Sequence, residues 1–218
     1  MRISIADAVR YMGAGEGNDE VRRMAEETAR ELEQRIQPRY TWRAFRTEKR
    51  ADGIFLPEAG ETLRGRLAAG MLAECGIAVI LACTLGAAFD AMLRTEEARD
   101  MARAVVLDAC GSALAEAGCD AAEEEIAGRF PGLYRTDRFS PGYGDFPLET
   151  QPRILRMLDA GKRAGITANA SFLLTPSKSV TAVIGLSDRP QGAKIRGCAA
   201  CALREGCAFR ERGTRCGV

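Results

Sequence analysis

Gly76-Ile77-Ala78-Val79-Ile80-Leu81-Ala82-Cys83-Thr84 is the stretch on which the fold class turns. It is apolar without alternation, of strand length, and carries β-branched side chains. A strand covered on only one face alternates polar and apolar residues, so an unbroken run implies burial on both faces. The run therefore belongs in the centre of a sheet. It is also the longest apolar run in the chain, and it falls far short of the ~20 residues needed to span a bilayer.

Upstream of this strand the pattern predicts a helix from about Thr62 to Cys75, with Gly53 and Pro57 punctuating the chain before it. Tyr40 to Arg46 reads as a strand, with Tyr40, Trp42 and Ala44 facing one way and Thr41, Arg43 and Phe45 the other. Asn18 is placed to cap a helix running to about Gln37. That helix carries Val21, Met24, Ala25, Thr28, Leu32 and Ile36 on one stripe and is stopped by Pro38. Downstream, Leu85-Gly86 opens another helical stretch. From Glu96 to about Ile126 the chain is rich in Ala, Glu, Arg and Leu, so one long helix or two stacked ones would fit, weakened at Gly111 and Gly118. Pro147 to Ala160 is helical, and Ser179 to Leu186 alternates as a closing strand. Helices and strands that do not alternate regularly point to an α+β fold.

The chain has 218 residues, enough for one sizeable core with appendages, and we expect a body over residues 1–190 and a tail over 191–218. Lys plus Arg number 31 and Asp plus Glu 30, a net charge of +1, so nothing in the balance calls for nucleic acid or an anionic membrane. The start, MRISIADAVRYMG, has no signal-peptide pattern, and a cytoplasmic protein is expected. Histidine is absent, which removes the commonest general base and metal ligand and every Ser-His or Cys-His nucleophile pair.

Between Arg129 and Pro147 the composition becomes dense in prolines, glycines and aromatics, too many turn formers for regular structure. Its centre, Arg138-Phe-Ser140-Pro-Gly142-Tyr143-Gly-Asp-Phe-Pro147, suits capture of a small zwitterion. Glycine lets backbone approach a ligand closely, and proline reduces the freedom lost on binding. Arg138 offers a planar fork for a carboxylate, and Tyr143 an aromatic face for a heterocycle or a sulfonium. A proline-rich surface turn would have the same composition.

The order Arg138-x-Ser140-Pro-Gly-Tyr143-x-x-x-Pro147, then GIT at 165–167 and LLTPSKSVTAVIGL at 173–186, resembles the reactivation domain of cobalamin-dependent methionine synthase. The resemblance is strongest there and weaker earlier, around Thr84-Leu-Gly86 and the helix holding Asp108 to Glu116. It implies helices on a curved, mainly antiparallel sheet. It also implies that S-adenosylmethionine is held by Arg138, Tyr143, the Ser140 backbone and Gly142, with Glu116 either an anchor for the ligand's ammonium or a solvated helix residue. The implied work is reductive methylation of cobalamin. Because this chain carries no cobalamin module, it would act in trans on the cobalamin-binding module of methionine synthase or a related corrinoid protein, with an electron donor. Positioning an already activated sulfonium needs no general base.

The last residues depart from that resemblance. Cys198, Cys201, Cys207 and Cys216 follow a C-x2-C start and are surrounded by Arg196, Arg204, Arg210, Arg212 and Arg215. Four thiolates of this kind suit zinc or an iron-sulfur cluster, and the same residues would also serve as a reduced tail without metal. An alternative function follows, a metal or redox sensor using the tail on a scaffold. Cys75, Cys83, Cys110 and Cys119 sit in helix or strand patterns and read as small core residues. An independent methyltransferase is disfavoured, since no Rossmann-type glycine fingerprint follows a strand.

Overall fold

The structure is a computed structural model that describes residues 1–13 and 19–192. In chain order the helices and strands are α1 (Ile5–Tyr11), α2 (Asp19–Arg35), β1 (Arg39–Arg46), β2 (Glu48–Arg50), β3 (Gly53–Leu56), β4 (Glu61–Leu63), α3 (Arg66–Met71) and β5 (Ile77–Thr84). They continue as α4 (Ala87–Glu97), α5 (Met101–Arg129), β6 (Tyr134–Arg135), α6 (Gln151–Leu158), α7 (Ala160–Arg163), β7 (Thr167–Ala168), β8 (Leu174–Thr175) and β9 (Ser179–Ser187). One sheet has the order β1-β5-β9-β6, and β5, buried from Ala78 to Thr84, is interior to it as the apolar run requires. The β2–β3, β3–β4, β6–β9 and β7–β8 pairings are antiparallel, so the fold is α+β.

By backbone contacts the chain forms two compact units. Among the described residues, the first comprises 1–13, 19–42, 81–129 and 151–181, and the second comprises 43–80, 130–150 and 182–192. Strands β1, β5 and β9 each contribute residues to both.

In the first unit α1, α2 and α4 pack against α5. The predicted stripe of α2 is buried at Ala25, Thr28 and Leu32, and Ile36 continues it. Together with Phe89, Leu107, Cys110 and Leu114, the apolar residues Ala25, Leu32 and Ile36 form one cluster. Removing such a side chain from water is worth roughly 1.5–3 kcal/mol. The capping expectation for Asn18 lies outside the described residues. The Glu96–Ile126 stretch is settled as the end of α4, a short break, and a single 29-residue α5. The break is at Asp100, whose carboxylate accepts the N–H groups of Ala102 (3.0 Å) and Arg103 (3.1 Å), so a new helix starts there. Gly111 and Gly118 do not interrupt α5, because both are buried packing positions.

The second unit holds the β2-β3-β4 sheet and α3. Here the expected helix over Thr62–Cys75 is corrected. Thr62 and Leu63 are in β4, paired with Phe55 and Ile54, and α3 covers only Arg66–Met71. The cause is Gly65, at φ 105°, a backbone conformation that breaks the helical path and that side chains oppose. Leu63 and Leu56 are buried here with Met71 and Leu72. Strand β1 also alternates less cleanly than its sequence: Phe45 is buried, while Tyr40, Thr41, Trp42 and Ala44 are all half-buried.

Candidate ligand-binding loop

Arg138, Ser140, Gly142 and Tyr143 share one loop of the second unit. Its entrance is tied to β9, with Phe139 N–H donating to the Val183 carbonyl at 3.0 Å and Val183 N–H to the Phe139 carbonyl at 2.8 Å. Thr136 repeats this one step earlier: its N–H donates to the Gly185 carbonyl at 3.0 Å, and its hydroxyl accepts the Gly185 N–H at 2.9 Å. The loop then turns on itself. Tyr143 N–H donates to the Ser140 carbonyl (3.1 Å), Phe146 N–H to the Tyr143 carbonyl (2.9 Å) and Gly142 N–H to the Phe146 carbonyl (2.8 Å).

The loop's apolar residues point inward. Phe139 and Phe146 are buried with ring centroids 5.5 Å apart and planes tilted by 57°, and Pro141 is buried as well. Such an aromatic pair is worth about 0.5–1.5 kcal/mol beyond its area. Of the residues between them, Gly142, Tyr143, Gly144 and Asp145 are exposed, and Tyr143 keeps 53% of its surface in contact with solvent. Gly142 has φ 93°, and a Cβ on it would meet nothing nearer than Leu148 Cδ1 at 3.4 Å. The Gly142–Gly144 tip therefore offers open backbone next to an aromatic face, a form suited to a flat heterocycle. Arg138 is 7% exposed, so little of its side chain is in contact with solvent.

Asp145 carries no sequence signal beyond that of a turn former, yet it anchors the tip. Its carboxylate accepts the N–H groups of Leu67 and Arg66, each at 2.9 Å, and the Arg66 side chain at 3.2 Å. These bonds, the Leu67 N–H first, hold its carboxyl well below the usual range, at about 2.

Glu116 lies in the first unit, half-buried on α5. Asp108, Ser112 and Glu116 recur every four residues and so share a face of that helix. Lys178 reaches this stripe, its ammonium 2.9 Å from Asp108 and donating to the Ser112 hydroxyl at 2.8 Å. The structure also brings together Thr84-Leu-Gly86 and the TPSKS segment. Ser179 Oγ donates to Thr84 Oγ1 at 2.8 Å, Gly86 N–H to the same oxygen at 3.0 Å, and Leu85 N–H to the Lys178 carbonyl at 2.9 Å. Asp90 fixes the turn by accepting the Ser177 hydroxyl at 2.7 Å. A groove of about 350 Å³ in this unit, lined by Pro152, Leu155, Arg156 and Ile166 among others, includes none of the predicted site residues.

Cys198, Cys201, Cys207 and Cys216 lie outside the described residues. Among the described residues no cluster of three or more acidic or cysteine side chains is arranged to hold a metal, and no helix is long and apolar enough to cross a membrane. Cys75, Cys83, Cys110 and Cys119 are buried, and the thiols of Cys75, Cys83 and Cys110 each lie against a backbone carbonyl, of Met71, Ala115 and Ala25 respectively.

No family model matches the sequence, and no curated protein matches it. Solved structures do match. The similarity to the crystal structure of the MetH reactivation domain bound to AdoHcy has a TM-score of 0.65 at 18% identity, covering 95% of this chain and 77% of that one. At that identity the likeness concerns the backbone, and the chain therefore has the fold of a methionine synthase reactivation domain.

Proposed function

We propose that this chain binds S-adenosylmethionine on the Arg138–Phe146 loop and acts as a cytoplasmic accessory protein in trans, presenting the donor methyl to the cobalamin of a methionine synthase or a related corrinoid protein. The observation that carries this reading is the fold shared with a domain solved with AdoHcy, in a chain whose Arg138-x-Ser140-Pro-Gly-Tyr143 loop has an open glycine backbone beside an exposed aromatic ring.

The roles follow from the side chains. Arg138 pairs with the ligand carboxylate, the Ser140 and Gly142 backbone approaches the ligand closely, and Tyr143 lies against its adenine or sulfonium. Cobalamin held by the partner, with one electron from a donor, would supply the acceptor for the methyl group, and the thioether would be the leaving group. The chain's own share is to bind and orient, which asks for neither a nucleophile nor a general base.

Calorimetric titration of S-adenosylmethionine into the wild-type chain, Arg138→Ala and Tyr143→Ala tests the reading. Saturable wild-type binding, weakened roughly tenfold or more by each substitution, is the expected result. Tyr143 is exposed, so its replacement leaves the fold intact even if that of the buried Arg138 does not. Absence of wild-type binding overturns the proposal. Zinc or iron in the anaerobically prepared protein, lost on deleting residues 197–218, would then turn attention to the cysteine tail.

A further inference from the structure

We infer that Asp145 is a positioning residue for the ligand loop, and that Gly65, Arg66 and Leu67 form the support on which the geometry of the Gly142–Gly144 tip depends. The inference rests on the reading that this loop binds S-adenosylmethionine.

The tip needs such a support. Gly142 and Gly144 both have positive φ, 93° and 54°, and glycine loses more conformational freedom on ordering than any other residue. The bonds to Val183 fix the loop's entrance at Phe139, and Phe146 closes its far side by packing on Phe139. Four exposed residues, Gly142 to Asp145, remain between them.

Asp145 stands where that stretch ends, and both of its carboxylate oxygens are committed, Oδ2 to Arg66 N–H and Oδ1 to Leu67 N–H. Its backbone is equally constrained. A Cβ on Gly65 would fall 2.6 Å from the Asp145 carbonyl oxygen, so the two chain segments touch directly and no side chain fits between them. One residue back, the Cβ position of Gly144 is 3.6 Å from Leu67 Cδ2, an ordinary packing contact. Backbone contact, a two-pronged carboxylate and a leucine together hold Gly144 and Asp145 to a segment 78 and 79 residues away in sequence. A tip ordered before the ligand arrives spares the ligand the cost of ordering it, which raises affinity without any contact from Asp145 itself.

The test combines two readouts on Asp145→Ala, Asp145→Asn and Gly65→Ala. The first is amide hydrogen exchange of the ligand-free proteins. Asp145→Ala and Gly65→Ala are expected to speed exchange at Gly142 and Phe146 at least tenfold while leaving Phe139 and Val183 unchanged. Asp145→Asn should fall between, because its carboxamide keeps one acceptor oxygen. The second readout is calorimetric affinity for S-adenosylmethionine, expected to weaken about tenfold in both severe variants and to recover partly in Asp145→Asn. Unchanged exchange at the tip overturns the inference, as does an equal rise at Phe139 and Val183, which marks general destabilisation. Faster exchange with unaltered affinity overturns the link to the ligand. If the wild-type chain binds no S-adenosylmethionine the ligand reading fails, while the exchange data still decide whether Asp145 holds the tip.

Discussion

Gly111 of α5 lies flush against the ring of Phe89 in α4: a Cβ built on Gly111 would sit 2.3 Å from Phe89 Cζ and 2.6 Å from Cε2. In an exposed helix, replacing glycine by alanine gains about 1 kcal/mol. Here the added methyl has to displace a fully buried ring, and overpacking of this kind costs about 1–3 kcal/mol. Gly111→Ala is therefore expected to lower stability by about 1 kcal/mol net. Gly118→Ala should behave alike, since its Cβ would be 2.7 Å from Cys83 Sγ and 2.8 Å from Pro38 Cβ. Gly128→Ala, in the same helix with nothing within 4 Å, should stabilise instead. Urea unfolding of the three variants checks the order.

Asp145 gives the protein an acid-sensitive contact. Its folded value of about 2 lies below its ordinary value of 3.8, because the Leu67 and Arg66 N–H groups and the Arg66 guanidinium favour the charged form. A depressed carboxyl contributes its full stabilisation above the unfolded value and loses it as pH falls towards the folded one. The difference in urea midpoint between wild type and Asp145→Asn should therefore be largest at about pH 6 and shrink steadily below about pH 4. A difference that stays constant down to about pH 2 would contradict the assignment of charge to this bond.

The core cysteines should be chemically silent. Burial pushes the Cys110 thiol up to about 11, and burial together with the neighbouring Glu74 carboxylate does the same for Cys75. Thiolate is the reactive form, so iodoacetamide at about pH 8 should leave both residues unmodified in the native protein and label them after denaturation, as read by peptide mass spectrometry. Gly185→Ala, whose Cβ would fall 2.4 Å from Cys75 Sγ, should disturb this packing and raise labelling at Cys75.

What the sequence by itself determined was whatever depends on neighbours within one element. The apolar run Ile77–Cys83 has too few polar residues to face water on either side, so it became the buried part of β5. The stripe of α2, the strand from Ser179 and the irregular loop after Arg129 followed in the same way from period and turn chemistry. Tertiary structure decided the rest. Thr62 and Leu63 lie in a strand because Phe55 and Ile54 pair with them, a choice that helix propensity around them does not register. Gly111 and Gly118, helix-weakening by composition, are tolerated because Phe89 fills the space beside the first and Cys83 with Pro38 the space beside the second. Asp145 reads in sequence as one more turn former, and only the approach of Arg66 and Leu67 makes it the brace of the loop. Contacts across such separations are written in no local pattern, because they exist only once the chain has closed the loop between them.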